Sequence, residues 1–109
     1  MYFVYIIYSR KINRFYTGTT DHLDKRIEQH NSAFYPNSFT SKGIPWELKV
    51  FFSFEKNNTA FEAEKFIKRM KSKKFIELII EDPKFFEEIL DNKMRVQLRG
   101  FGAASSTKP

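Results

Sequence analysis

The sequence contains no cysteine, which excludes a disulfide-bonded scaffold, a zinc ribbon and a catalytic thiol. It also lacks any stretch close to the roughly 20 consecutive apolar residues that a membrane-spanning helix needs. The apolar run at its start, residues 2 to 8, is too short for a secretory signal and leads directly into Ser9 and Arg10. We therefore predict a cytoplasmic protein without a membrane partner.

The composition is that of one globular domain with an unusual share of aromatic side chains. The chain has 109 residues, 41% of them hydrophobic and 29% charged, which is ordinary for a single soluble domain. Aromatic residues make up 17% and include 13 phenylalanines. Because large rings fill a core with few residues, we interpret most of them as packing.

Positive charge is in excess and is locally concentrated. The chain has 19 Lys and Arg against 13 Asp and Glu, a formal net charge of +6. Residues 65 to 74, "KFIKRMKSKK", contain six basic residues and no acid. Such a segment favours a polyanionic partner, above all nucleic acid. The total charge alone does not decide this, since small basic proteins without a specific partner are common.

The hydrophobic patterns predict three strands and four helices. Strands are predicted at residues 2 to 8, 14 to 18 and 46 to 54. Helices are predicted at 21 to 31, from an opening at residues 57 to 59 to about 71, at 72 to 80 and at 82 to 92. The predicted helix starts are Asp21, a capping box from Thr59 to Glu62, and Asp82 with Pro83. Residues 32 to 45 are predicted to form a long loop.

The order β-β-α-β-α-α-α predicts an α+β fold with a three-stranded antiparallel sheet flanked by helices. We place the domain at residues 1 to 94. The tail, residues 95 to 109, is predicted to be disordered because "FGAASSTKP" at its end offers no large aliphatic side chain for packing.

Two tyrosines can meet across the first hairpin. If its loop comprises residues 9 to 12, Tyr5 lies directly opposite Tyr16 with Cβ atoms about 5 Å apart. A slip of one residue would place them on opposite faces. Gly18 ends the second strand, where a missing side chain allows close approach of another group. A cross-strand tyrosine pair is also a common packing feature, so the pair alone does not indicate a site.

The first helix adds two functional candidates. Arg26 and His30 are four residues apart and lie about a quarter-turn from Leu23 and Ile27. We therefore expect both at the rim of the helix, next to a possible cleft. The alternative interpretation is that they are ordinary solvated side chains on an exposed helix face.

An acidic candidate lies on the next helix. Ala60, Ala63, Ile67 and Met70 are predicted to form its buried stripe, with Glu64 at the border of that stripe. Glu62 would lie on the exposed side. A carboxylate at such a border needs a basic neighbour or a metal ion, and the residues alone favour the basic neighbour.

Four segments together resemble the GIY-YIG nuclease superfamily, and in particular its small single-domain bacterial members. They are "FVY" (3 to 5), "YTG" (16 to 18), "LDKRIEQHN" (23 to 31) and "AEKFIK" (63 to 68), and the resemblance covers about residues 2 to 80. Phe3 and Thr17 depart from the family pattern at structural positions. The family's functional positions are occupied by Tyr5, Tyr16, Gly18, Arg26, His30 and Glu64.

The resemblance implies a single-metal endonuclease that hydrolyses phosphodiester bonds. Glu64 would bind Mg²⁺ or Mn²⁺, and Arg26 would hold the phosphate. Tyr5 would act as general base and pass its proton to His30, while Tyr16 positions water or phosphate.

DNA is the expected partner, bound without an appended sequence-reading module. The predicted contacts are basic and aromatic, namely Lys65, Lys68, Arg69, Lys71, Lys73, Lys74, Lys42, Tyr35 and Phe39. Structure-selective or weakly specific cleavage in repair, recombination or mobile-element processing would follow. A catalytically inert nucleic-acid-binding module and a protein-interaction domain are the alternatives. Whether the substrate is DNA or RNA stays open. A homodimer and an accessory protein are both possible partners.

Overall fold

The computed structural model describes residues 1–32 and 39–102. The strands are β1 (Tyr2–Ser9), β2 (Arg14–Thr20), β3 (Trp46–Phe54) and β4 (Gly100–Gly102). The α-helices are α1 (Leu23–Asn31), α2 (Asn57–Met70), α3 (Lys73–Glu81) and α4 (Pro83–Ile89). A 3₁₀ helix (Phe39–Gly43) precedes β3, and a π-helical turn (Leu90–Met94) follows α4.

The α+β class is confirmed, but the sheet has four strands and not three. The strands are antiparallel in the order β2-β1-β3-β4. β4 arises from the segment predicted to be a disordered tail. The Arg99 amide donates to the Ser53 carbonyl at 2.8 Å, and the Ser53 hydroxyl donates to the Gly100 carbonyl at 3.0 Å. The prediction of disorder considered only large aliphatic side chains, whereas this segment is held by backbone hydrogen bonds. Residues 103–109 lie outside the described part.

β1 is the central strand and is buried on both faces. Val4 and Ile6 belong to the main core with Phe52 and residues of α2, α3 and α4. Tyr5 and Ile7 lie on the opposite face in a smaller cluster. This smaller cluster also includes Trp46 and the partly buried residues Tyr16, Leu23 and Ile27. The alternation of β1 therefore sends one tyrosine toward α1 and the aliphatic residues toward the larger helical layer.

The predicted cap of α1 and the predicted capping box of α2 are wrong, and the predicted cap of α4 is confirmed. α1 begins after His22, whose amide is bound by the Thr20 hydroxyl at 3.1 Å, and not at Asp21. α2 begins two residues before Thr59, so Thr59 donates its hydroxyl back to the Lys56 carbonyl and cannot be the cap. Asp82 does cap α4 and accepts from the Phe85 amide, with Pro83 in the first turn.

No helix among residues 1–32 and 39–102 is both long enough and apolar enough to cross a membrane.

Candidate active site

The hairpin register differs from the prediction by two residues. The loop comprises residues 10 to 13, so Tyr5 pairs with Gly18 and Tyr16 pairs with Ile7. Because side chains alternate with a period of two, a shift of this size keeps both tyrosines on one face. Their rings lie diagonally, with centroids 6.5 Å apart. The shared face is thus confirmed, and the direct pairing of the two tyrosines is wrong.

Gly18 makes room for the Tyr5 side chain. A Cβ atom at Gly18 would lie 2.5 Å from the Tyr5 hydroxyl oxygen and 2.7 Å from Cζ. The ring of Tyr5 therefore passes directly across the backbone of its strand partner, and Tyr5 is only 1% exposed. Glycine is the residue that allows this close approach.

His30 forms a hydrogen bond with the Tyr5 hydroxyl. The oxygen of Tyr5 lies 2.8 Å from Nε2 of His30 in a buried hydrogen bond. The His30 ring also contacts Tyr16 edge-on at 5.3 Å between centroids. The predicted position of His30 at the helix rim is wrong, since the residue is buried. At seven residues after Leu23 and three after Ile27, it extends the apolar stripe of α1.

The end of α1 is fixed to the start of β3, which holds the histidine in place. Asn31 donates its side-chain amide to the Trp46 carbonyl at 3.0 Å and accepts the Trp46 amide at 2.5 Å. The Trp46 indole donates to the Thr40 carbonyl at 2.7 Å, and its ring lies 6.4 Å from that of Tyr16. These contacts connect the 3₁₀ helix, α1 and β3 around the tyrosine pair.

Arg26 lies beside the Tyr5–His30 pair and acts on both groups. Burial and the neighbouring Tyr16 raise the pKa of Tyr5 above its ordinary value, while the charge of Arg26 and a hydrogen bond from it oppose that rise. Burial, and then the positive charge of Arg26, lower the pKa of His30 to about 4. At neutral pH the histidine is therefore neutral, and Nε2 can accept the Tyr5 proton in the hydrogen bond.

Glu64 is half-buried on α2, as its position at the border of the stripe predicts. Its side chain is 16% exposed and forms an ion pair with Lys68 at 2.6 Å. Its other oxygen accepts the hydroxyl of Thr19 on β2. Its charge also contributes to the raised pKa of Tyr5, which places the carboxylate within electrostatic reach of the tyrosine. Met70, predicted to be buried, is 44% exposed because α2 ends there.

Glu64 does not belong to a larger cluster of metal ligands. Within the described residues, no three His, Asp or Glu side chains come together as a metal-ligand group.

The basic residues that are predicted to contact nucleic acid are exposed but have different neighbours. All six basic residues from 65 to 74 are exposed, as is Lys42 on the 3₁₀ helix. Lys65 forms an exposed ion pair with Glu62, whereas Lys68 extends over the ring of Tyr16 at 5.7 Å. Lys71 and Lys73 line a separate groove. Tyr35 and the side chain of Phe39 lie outside the part of the chain that can be described.

Sequence reasoning missed Thr19 and the second role of Lys68. Thr19 follows Gly18, so alternation places it on the opposite face of β2 from Tyr16, toward α2. Lys68 is four residues after Glu64, which is the spacing of a helical ion pair. Both contacts could have been proposed from spacing, but only the packing of α2 on β2 shows that they meet at the same carboxylate.

We expect His30 to reduce stability as the pH falls from about 6.5 toward 4. Its pKa is about 4 in the folded protein and about 6.5 in an unfolded chain. Between these values the unfolded chain binds a proton that the folded protein does not. The stabilisation is complete above about pH 6.5 and is lost as the pH falls through about 4, at most about 3 kcal/mol. Urea unfolding of the wild type and His30→Gln between pH 4 and 7 measures it.

The difference in unfolding free energy between these two proteins should decrease steadily as the pH is lowered through this range. A difference that stays constant would contradict the lowered pKa, and an NMR titration of the His30 ring would give the value directly.

Comparison with known proteins relates this arrangement to one family. A family model described as the GIY-YIG catalytic domain matches residues 1–76. A UPF0213 protein of Bacillus cereus is 37% identical over 59 residues, which are 54% of this chain and 60% of that protein. A UPF0213 protein of Vibrio campbellii is 35% identical over 80 residues, 72% of this chain and 73% of that protein. The match thus spans less than two thirds of the length of the Bacillus relative.

Proposed function

Because this chain belongs to the GIY-YIG nuclease family, we propose that it is a divalent-metal-dependent endonuclease that hydrolyses phosphodiester bonds in DNA. One observation carries the proposal. The Tyr5 hydroxyl, hydrogen-bonded to His30 at 2.8 Å, lies within electrostatic reach of both Arg26 and Glu64. The proposal thus places a proton acceptor, a phosphate-binding cation and a metal-binding carboxylate in one site.

The chemistry at Glu64 fits a hard divalent cation. Mg²⁺ prefers oxygen ligands, keeps several waters and accepts substrate phosphate oxygens, so one protein carboxylate is sufficient. The Lys68 ammonium, 2.6 Å from Glu64, already places a positive charge against this carboxylate. Glu64 would hold the ion, which would polarise the phosphate and stabilise the leaving 3′ oxygen.

Tyr5 and His30 provide a path for the proton of the attacking water. In the tautomer that carries its proton on Nδ1, neutral His30 accepts the Tyr5 hydroxyl at Nε2, so the Tyr5 oxygen has lone pairs left for a water molecule. In the free protein this path costs free energy. The raised pKa of Tyr5 and the lowered pKa of His30 both oppose the transfer. A cation at Glu64 would remove one of the charges that raise the Tyr5 pKa.

Arg26 and Tyr16 would hold the phosphate. Arg26 is half-buried beside the Tyr5 hydroxyl, where a guanidinium can bind two phosphate oxygens as charge develops. Tyr16 is more exposed than Tyr5 and contacts His30 through its ring. In this proposal Tyr16 orients the phosphate or the water, and Tyr5 accepts the proton.

We expect Tyr5→Phe to slow cleavage at saturating DNA by about 10²-fold, because it removes the general base. DNA affinity should stay the same, since the phenylalanine ring fills the same buried space. Single-turnover kinetics combined with fluorescence anisotropy measure the two effects. Tyr2→Phe, a half-buried tyrosine of the same strand, is the matched control. Full cleavage by Tyr5→Phe would transfer the role of general base to another group.

Lys68→Met should strengthen binding of Mn²⁺ by about 2- to 5-fold. The Lys68 ammonium competes for Glu64, and an ion pair with an exposed partner contributes up to about 1 kcal/mol. Calorimetry on the DNA-free protein gives the affinity. Lys56→Met, which removes an exposed lysine at the start of α2, controls for total charge. Weaker Mn²⁺ binding by Lys68→Met alone would show that the lysine supports the ion instead of competing with it.

A panel of labelled DNAs tests the proposed function as a whole. Single-stranded, duplex, flap and branched molecules are incubated with the wild type in Mg²⁺, in Mn²⁺ and in EDTA. Cleavage in either metal that stops in EDTA is the expected result. Binding without cleavage in any condition would favour a catalytically inert nucleic-acid-binding module on the same scaffold.

The biological setting proposed here is cytoplasmic DNA repair, recombination or mobile-element processing. It is supported by the net positive charge of the small domain, which favours a nucleic-acid partner.

A further inference from the structure

A groove lies between the turn of the β1–β2 hairpin and the junction of α2 with α3. Its volume is about 500 Å³, which is within the range of small-ligand sites. One wall is apolar and formed by Ile12, Phe15 and Ile76. Arg14, Lys71 and Lys73 also line the groove, and no acidic side chain is among its described lining residues.

The basic side chains of the groove are exposed, and one of them, Lys73, is held by contacts within the protein. Arg14, Lys71 and Lys73 are all exposed to solvent. Lys73 donates to the side-chain oxygen of Asn13 at 3.2 Å, and its ammonium lies 5.9 Å from the centroid of the Phe15 ring. An aromatic surface beside a fixed positive charge is the combination that binds a base and its phosphate.

Lys71 retains its long side chain at a backbone position that favours glycine. It ends α2 in the left-handed conformation with φ 48°, where glycine is the most frequent residue and a Cβ atom is unfavourable. Asn13, on the other side of the groove, has φ 52°. The lysine therefore occupies this corner although glycine would suit the backbone better.

The groove continues the candidate active site along α2. Glu64, Lys68 and Lys71 follow at intervals of four and three residues, so they lie along one side of the helix. The seven residues from Glu64 to Lys71 span about 10 Å, which is about three nucleotide steps of a B-form strand. On β2, Phe15 lies on the same face of the strand as Thr19, which contacts Glu64. A DNA strand bound at Glu64 can therefore reach the groove.

We propose that this groove binds an unpaired nucleotide of the DNA strand close to the cleaved phosphodiester. The base packs on Phe15 and Ile76, and the phosphate binds Arg14, Lys71 and Lys73. A paired base inside a duplex has both faces covered by its neighbours, so only an unpaired nucleotide can offer its face to this wall. The inference rests on the proposed nuclease function, and it predicts a preference for flaps and frayed ends over continuous duplex.

Equilibrium binding in EDTA separates this proposal from catalysis. The probes are a fluorescent flap DNA and a fully paired duplex of the same sequence, measured by anisotropy at several salt concentrations. Lys71→Gly should weaken flap binding by about 5- to 10-fold and reduce the salt slope by about one, as expected for one lost phosphate contact. Its Tm should not fall, because glycine suits this backbone conformation.

Two further variants complete the experiment. Arg95→Gly removes a basic, exposed residue that also has a positive φ, 55°, but does not line the groove. It should leave flap binding unchanged. Phe15→Leu should reduce the preference for flap over duplex while leaving duplex binding unchanged. Equal losses in Lys71→Gly and Arg95→Gly, or equal binding of flap and duplex by the wild type, would overturn the proposal.

Cleavage by the wild type in Mg²⁺ or Mn²⁺ keeps the two proposals apart. Flap binding that depends on Lys71 and Phe15 without any cleavage would overturn the nuclease function and keep the groove. Cleavage that is unaffected by both groove variants would overturn the groove and keep the nuclease. A wild type that neither binds nor cleaves these DNAs would overturn both.

Discussion

Glu64→Gln is expected to slow DNA cleavage by about 10³-fold or more, equivalent to about 4 kcal/mol of transition-state stabilisation. Glutamine has nearly the same shape and can still accept the hydroxyl of Thr19. It has no charge, however, and cannot hold a divalent cation in the way that a carboxylate does. The chemical step should therefore fail while the fold and the binding of DNA persist.

Single-turnover cleavage in Mg²⁺ or Mn²⁺, with anisotropy of the same DNA, measures the two outcomes separately. Glu62→Gln is a close control, because it makes the same charge change two residues earlier on α2. Glu62 is exposed and forms only an exposed ion pair with Lys65 in the part of the chain described here. Wild-type cleavage by Glu64→Gln would show that the catalytic cation has another ligand.

Removal of the Glu64 charge should have little effect on stability. Lys68, which loses its ion-pair partner, is 52% exposed and remains hydrated. A fall in Tm of many degrees would instead assign a structural role to the carboxylate. In that case the loss of activity would have to be measured at a temperature where both proteins are folded.

Gly18→Ala should destabilise the protein and inactivate it together. The new Cβ atom would lie 2.5 Å from the Tyr5 hydroxyl oxygen, and the Tyr5 ring is buried. We expect a loss of about 1–3 kcal/mol in unfolding free energy, as for other overpacked cores. Cleavage should fall by at least about 10²-fold, because a displaced Tyr5 loses its hydrogen bond to His30.

Gly100→Ala provides the control in the same sheet, since its Cβ atom would meet Ser53 only at the ordinary distance of 3.4 Å. A double-mutant cycle identifies the cause of the loss. In a Tyr5→Leu background the clash at Gly18 is removed, so Gly18→Ala should then cost much less stability. An equal cost in both backgrounds would mean that the alanine disturbs the strand and not the tyrosine.

Residues close together in the chain made much of the site predictable. Alternation along two strands joined by a short loop places Tyr5 and Tyr16 on one face for any even shift of register. This is why the shared face was predicted although the direct pairing was wrong by two residues. The helical period likewise places Glu64 at the border of a buried stripe, where the structure has it.

Contacts between distant segments could not be predicted from the sequence in the same way. The hydrogen bond from Tyr5 to His30 joins residues 25 apart, and the contact from Thr19 to Glu64 joins residues 45 apart. The burial of His30, and therefore its lowered pKa, depends on how α1 lies on the sheet. Sequence periodicity gives the direction of a side chain from its own helix or strand but not the element that it meets.

The fourth strand shows the same limit. Residues 100–102 carry no large aliphatic side chain, so hydrophobic pattern gave no reason to expect order there. They are held by backbone hydrogen bonds to β3, which any residue except proline can donate whatever its side chain. The groove at the hairpin also depends on two segments, residues 12 to 15 and 71 to 76, that only the folded chain brings together.

The sequence by itself determined the α+β class, the family and the chemical types of the candidate site residues, because these follow from local period and residue identity. The tertiary structure alone decided which side chain Tyr5 meets, which cation neutralises Glu64 and where a groove lies beside the first hairpin. Those properties depend on distances and burial, which arise only when helices pack on both faces of the sheet.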